Sequence, residues 1–211
     1  MREPNGKLGE GFASEVFKCR RKGTNNKEVF AAKYLKEHAF SSIQNEVETL
    51  KVMNDHPNIM QLYEVFDNRA DVPISEAEVF LVYNLVPGVP LGKAVEDYAE
   101  KNNDSHLPKG KFLQWAIQMA KTVKYMHETA YVIHLDLHIY NWMVRPNGNI
   151  CLVDFGCAKL LGKDGKVEAG LEAWYYDGIS SPEMQERKEF SFGGDVWQMS
   201  VAFGQLMNKG G

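Results

Sequence analysis

The stretch from Tyr131 to Lys159, YVIHLDLHIYNWMVRPNGNICLVDFGCAK, constrains this chain more than any other part of it. It sets three polar side chains in order: Asp136, then Asn141, then Asp154 beyond two short apolar runs. Those runs, Asn141 to Val144 and Ile150 to Val153, flank Arg145-Pro146-Asn147-Gly148, a cluster of the kind that turns a chain back on itself. The spacing predicts a β-hairpin. It would set Asp136 and Asn141 before the first strand and Asp154-Phe155-Gly156 after the second, so that two carboxylates and an amide converge at one end. Convergent oxygen ligands suit Mg²⁺, a hard cation held by a few carboxylates together with substrate phosphates.

His134-Leu135-Asp136 through Asn141, followed by Asp154-Phe155-Gly156, resembles the catalytic loop and metal-binding motif of the eukaryotic protein kinases. Each tripeptide alone is a weak signal, and the two in this order at this separation are a strong one. The resemblance implies an α+β, bilobal fold. Residues 1–86 would form a small antiparallel β-sheet N-lobe with one helix. Residues 87–211 would form a mainly helical C-lobe that stops after the family's central helix.

The remaining motifs fall in the family's order. Leu8 to Phe17 carries Gly9, Gly11 and Val16 where the family has its glycine-rich loop, with Ser14 at the third glycine. Val29 to Leu35 reads as an apolar strand carrying Lys33, and a lysine on a buried strand needs a partner. The partner is expected to be Glu46. Ser41 to Asn54 has Ile43, Val47, Leu50 and Met53 on one helical stripe with Glu46 beside it, and Ser41 and Gln44 are spaced as a capping box. Glu48 should point elsewhere around that helix. His56-Pro57-Asn58-Ile59 reads as a turn, Leu62 to Phe66 as a strand, and Asp67 to Glu78 as an exposed connection. Val79 to Gly88 reads as a buried strand broken at Pro87-Gly88. Leu91 to Lys101 and Lys111 to Glu128 follow as helices, the second with Phe112, Trp115, Met119, Val123 and Met126 as its core stripe.

The resemblance implies ATP and Mg²⁺ as cofactors and a protein substrate. Asp136 would accept or orient the proton of the acceptor hydroxyl, Lys33 would hold the nucleotide phosphates, Glu46 would orient Lys33, and Asn141 and Asp154 would hold Mg²⁺. Gly9, Gly11, Val16, Ala31, Lys33, Tyr83, Asn84, Val86 and Met143 would form the nucleotide pocket, with Tyr83 closing it behind adenine. Leu50, Leu62, His134 and Phe155 match the family's hydrophobic spine. Asp195 would brace the catalytic loop from a central helix reaching about Asn208, with Val196, Met199, Phe203 and Leu206 inward.

Three departures stand out. Leu135 replaces the arginine of H-R-D, and 155–174 contains no serine, threonine or tyrosine, so activity is expected without phosphorylation of that segment. His138 replaces a lysine common in the Ser/Thr members, and Trp174-Tyr175-Tyr176-Asp177-Gly178 matches neither acceptor class well; Ser/Thr is the expected one. The resemblance stops after the central helix that Asp195-Val196-Trp197 begins, short of the family's last helices, so an exposed apolar face that invites a partner is expected there. Two rival readings remain from the residues: a pseudokinase scaffold, and a small-molecule phosphotransferase, whose catalytic loop His134-x-Asp136-x-His138-x-x-Asn141 also resembles.

Net charge of -4 over 211 residues, with scattered basic residues, gives no nucleic-acid footprint. Three cysteines at no metal-ligand spacing suit reduced thiols. No run reads as a signal peptide or membrane span, so a cytoplasmic or nuclear protein without a membrane partner is expected.

Overall fold

The computed structural model describes residues 2–23, 28–53, 56–104, 106–161, 178–187 and 190–207. Strands β1 (Arg2–Glu10), β2 (Ser14–Cys19) and β3 (Phe30–Leu35), helix α1 (Ile43–Val52), and strands β4 (Leu62–Asp67) and β5 (Val79–Asn84) build the N-lobe. Its sheet has the order β1-β2-β3-β5-β4, antiparallel throughout. In β3, Phe30, Ala32 and Leu35 are buried, and so is Lys33. Helix α1 lies against the rest through Ile43, Val47 and Leu50, and Glu46 shares that buried face while Glu48 is exposed.

A 3₁₀ turn leads into α1. Ser41 lies inside this turn, Glu37–Ser42, which runs straight into the helix, and the capping box expected of it rests on a side chain outside the described ones. The Gln44 amide donates to the Glu48 carboxylate one turn on.

Strand β6 (Val89–Pro90) follows the Pro87-Gly88 break and leads into α2 (Leu91–Asn102) and α3 (Lys109–Tyr125), which widens into a π turn through Ala130. Then come β7 (Val132–Ile133), β8 (Trp142–Val144), β9 (Ile150–Leu152), β10 (Lys159–Leu160), α4 (Pro182–Arg187) and α5 (Phe192–Met207). The predicted hairpin is β8-β9, with Trp142 opposite Leu152 and Val144 opposite Ile150, closed where Gly148 N–H donates to Arg145 O at 2.8 Å. Trp115 on α3 donates its indole N–H to Gly148 O at 3.1 Å, which pins that turn to the helix.

Two joints fix the hairpin to its surroundings. Gly88 has φ 131°, and a Cβ there would lie 1.9 Å from Val144 O, so the break before β6 passes too close to β8 for any other residue. The turn at Asn58 reaches β9: Leu152 N–H donates to Asn58 O at 2.7 Å, and Met60 N–H to Leu152 O at 3.0 Å. His56 is a turn residue as expected, accepting from Asn58 N–H and stacking on Tyr125.

A single hydrophobic core joins the two regions through Leu50, Tyr83, Trp115, Met119, Trp142 and Phe155. A second cluster gathers Ile133, Leu135, Leu161, Met184 and Phe190 under α4. Helix α5 buries Ala202 and Leu206 and half-buries Met199 and Phe203, but Val196, expected inward, is 51% exposed. The rotation of α5 is set by Asp195 and Gln198, whose buried bonds to the chain before β8 turn Val196 outward. No described helix is long and apolar enough to cross a membrane.

Candidate active site

Strand β3 carries Lys33 to the back of a cleft of about 590 Å³ between the sheet and the β8-β9 hairpin. The Lys33 ammonium donates to Glu46 Oε1 and Oε2 at 3.1 and 3.0 Å, and to Asp154 Oδ1 at 2.7 Å. Burial alone would strip the charge from Lys33; the carboxylates of Asp154 and Glu46 outweigh that cost and hold its pKa above the ordinary lysine value. In return the Lys33 charge holds the Asp154 carboxyl down at about 2, against the desolvation that works the other way. Among the described residues both side-chain bonds to Asp154 fall on Oδ1, from Lys33 and from Gly156 N–H at 3.3 Å, and none on Oδ2.

Gly156 leaves room for this ion pair, which a side chain there would push by a few tenths of an ångström. A Cβ at that position would come within 3.1 Å of Lys33 Nζ and 3.3 Å of Asp154 Oδ1. Asp154 itself has φ 61°, and Phe155 beside it is fully buried with its ring edge-on to His134 at 4.7 Å.

The chain before β8 is held from α5. Asp195, fully buried, accepts from His134 N–H and Leu135 N–H at 2.8 Å each and pairs with His127 Nε2 at 2.8 Å. Gln198, one turn on, donates to Leu135 O at 2.9 Å and accepts from Leu137 N–H at 2.9 Å. These bonds clamp Leu135 at φ 67°, a left-handed backbone that is uncommon for leucine. His134 is a packed residue as expected, fully buried, and burial lowers its pKa so that it stays neutral.

Asp136 is thereby presented with one oxygen occupied and one spare. Asn141 Nδ2 donates to Asp136 Oδ2 and to its carbonyl, both at 2.9 Å. Asp136 Oδ1 is buried with no hydrogen-bond partner among the described residues; His138 Nε2 lies 3.6 Å from it. A buried carboxylate oxygen left unpaired is costly, so its presence marks a place where a donor is expected. Asn141 O accepts from Val153 N–H at 2.8 Å, which sets Asn141 beside Asp154.

The cleft is lined by Gly9, Val16, Ala31, Lys33, Glu46, Tyr83, Asn84, Val86, Asn141, Met143 and Asp154, all anticipated from the sequence. Two anticipated residues stand outside the lining. Gly11 is held away from it, donating to Ser14 O at 2.8 Å and accepting from Lys36 Nζ at 3.0 Å. Asp136 lies beneath, next to Asn141. Sequence reasoning missed Gln198, His127 and Met60. Met60 lines the cleft, and its sulfur accepts from Asp154 N–H at 3.2 Å. Of the expected spine, Leu50, His134 and Phe155 are buried, and Leu62 packs against the core.

The donor set fits a nucleotide with Mg²⁺. No group of three or more His, Cys, Asp and Glu side chains is placed to hold a metal among the described residues. One carboxylate and one amide beside a lysine in an otherwise largely apolar cleft suit a cation that brings phosphate oxygens as its other ligands. The expectations about Trp174 to Asp177 and about a phosphorylated segment fall on 162–177, outside the described residues.

A family model described as a protein kinase domain matches residues 2–210. The chain is 25% identical over 210 residues to Serine/threonine-protein kinase Nek10 of Homo sapiens, covering 94% of this chain and 17% of that protein. It is 26% identical over 211 residues to Ribosomal protein S6 kinase alpha-4 of Homo sapiens, covering 99% and 25%. To Protein-tyrosine kinase 6 of Mus musculus it is 29% identical over 208 residues, covering 97% and 42%. The chain thus spans a quarter or less of the first two relatives and under half of the third.

Proposed function

This chain belongs to the protein kinase family, and from that premise we propose that it transfers the γ-phosphate of ATP to a protein hydroxyl, serine or threonine by preference. Residues 1–86 and 87–211 act as the two lobes, with the cleft between them as the nucleotide site. The observation that carries the reading is the buried Asp136 Oδ1, without a hydrogen-bond partner among the described residues and held next to Asn141, which in turn adjoins Asp154.

Phosphoryl transfer needs positioning and charge neutralisation more than covalent chemistry. ATP supplies the phosphoryl group, and its Mg²⁺ neutralises charge that develops on the phosphates. Asp136 Oδ1 accepts the hydrogen bond, and then the proton, of the acceptor hydroxyl. Asn141 holds Asp136 by its amide and offers its side-chain oxygen to the metal. Asp154 offers Oδ2. Lys33, kept charged by its two carboxylates, binds phosphate oxygens, and Glu46 keeps it pointed into the cleft. Val16, Ala31, Met143 and the Tyr83 ring give adenine apolar walls, and the backbone of Asn84 and Val86 meets its edge.

Leu135 supports activity without a phosphorylated segment. Where the family's arginine would seek a phosphate, this leucine is buried with Ile133, Leu161, Met184 and Phe190, an apolar contact that needs no charge to form.

The test is mass-spectrometric detection of phosphate on a generic protein substrate incubated with the chain and Mg²⁺-ATP, beside amino-sugar and choline acceptors. Phosphoserine and phosphothreonine are expected. Transfer to tyrosine alone would overturn the preference, and transfer to the small molecules alone would overturn the protein acceptor.

A further inference from the structure

Tyr83 lies on β5 opposite Ala31 of β3, 2% exposed and among the largest fully enclosed side chains of the fold. Its ring forms the back wall of the cleft, and its hydroxyl leads away from the cleft's apolar walls to Glu46, donating to Oε1 at 2.7 Å. That same oxygen accepts from Lys33 at 3.1 Å. Glu46 is 1% exposed, so three polar groups from β3, α1 and β5 close on one another with almost no water access.

The arrangement has a physical purpose beyond filling space. Phenylalanine would give the same wall, and the hydroxyl adds nothing to the shape of the adenine site. What it adds is a second donor to Glu46. Lys33 is shared between two carboxylates, and its shorter bond is to Asp154, at 2.7 Å against 3.0 Å. A Glu46 with Lys33 as its only side-chain partner is free to rotate, and the ammonium is then free to follow Asp154 out of line with the phosphates. The phenol fixes the carboxylate plane. Desolvation, reinforced by the Glu46 charge, raises the Tyr83 pKa well above the ordinary tyrosine value, so it remains a donor wherever the protein is folded.

We propose that Tyr83 is a positioning residue: its hydroxyl fixes Glu46, and through Glu46 sets the Lys33 ammonium where it meets the nucleotide phosphates. The inference rests on the nucleotide reading of the cleft.

The test compares the parent with Tyr83→Phe, Glu46→Gln and the double variant, measuring equilibrium dissociation constants for ATP and for adenosine, and kcat/KM for phosphate transfer. With Glu46 no longer fixed, Tyr83→Phe weakens ATP binding by about tenfold. Adenosine, with no phosphates for Lys33 to meet, binds Tyr83→Phe within about twofold of the parent, since the ring is kept. Glu46→Gln shows the same split between the two ligands, and Tyr83→Phe adds no further loss in its background. Unchanged ATP affinity in Tyr83→Phe, equal losses for ATP and adenosine, or a full further loss in the Glu46→Gln background would each overturn the proposal. If the parent transfers no phosphate yet the ATP-adenosine split appears, the positioning role stands and the kinase reading is the one that fails.

Discussion

Replacing Asp195 by alanine tests how the loop that carries Asp136 is held. Asp195 is fully buried and accepts two backbone N–H groups, from His134 and Leu135, at 2.8 Å each. Alanine leaves both donors buried without a partner. Each such loss costs about 1–3 kcal/mol, which gives about 2–6 kcal/mol for the pair. His127, only 11% exposed, loses its Asp195 partner as well, which adds to this cost. Leu135 at φ 67° adds to the sensitivity, since a strained backbone of this kind persists only while its surroundings hold it. With Asp195 gone, Gln198 supplies the remaining side-chain bonds among the described residues, to Leu135 O and from Leu137 N–H. For a chain of this size each kcal/mol moves the melting temperature by about 2–4 °C, so a central loss of about 4 kcal/mol lowers it by about 8–16 °C. Differential scanning calorimetry on parent and variant reads this directly. A shift below about 2 °C would mean that the two N–H groups find other partners and that Asp195 does not brace the loop.

Three further outcomes follow from the same contacts. Asp154 titrates near 2 in the folded chain against an ordinary 3.8, so its ion pair with Lys33 stabilises fully above pH 3.8 and is lost as pH falls through about 2. Unfolding free energy therefore falls more steeply across that window in the parent than in Asp154→Asn, and equal slopes by urea titration at each pH would contradict the pairing. Gly88→Ala sets a Cβ 1.9 Å from Val144 O at φ 131°, so the break before β6 must move; a loss of about 1–3 kcal/mol in urea unfolding is expected, and a neutral result would place Gly88 elsewhere. Treatment with a broad-specificity phosphatase leaves phosphate transfer unchanged, because Leu135 packs into an apolar cluster rather than onto a charged group; a large drop in rate would show that a phosphate is needed after all.

The sequence was most informative where a polar residue sat on an apolar element. Lys33 on an otherwise buried strand demanded a partner, and helical geometry chose Glu46 over Glu48, as the structure shows. The β8-β9 hairpin was legible for a similar reason, since Pro146, Asn147 and Gly148 interrupt two apolar runs. What escaped reading depends on contacts distant in sequence. Gln198 is a polar residue one turn from Asp195, yet nothing in a helical stripe says that its amide reaches Leu135 and Leu137. The same bonds rotated α5 and exposed Val196, against a stripe drawn from hydrophobicity alone. Register placed Tyr83 at the back of the cleft, but its bond to Glu46 exists only because α1 packs across from β5.

The central claim is that Asp136, with its spare buried oxygen, serves phosphate transfer from a nucleotide held by Lys33 and Asp154. The most direct measurement is a single-turnover assay of phosphate transfer by the parent and by Asp136→Asn, with circular dichroism and ATP affinity recorded on the same samples. A general base contributes about 10²–10⁴-fold, so Asp136→Asn is expected to lose at least about a hundredfold in transfer rate while folding and binding ATP as the parent does. A variant that keeps the parent's rate would contradict the account, and a parent that binds ATP but transfers nothing would remove catalysis from it.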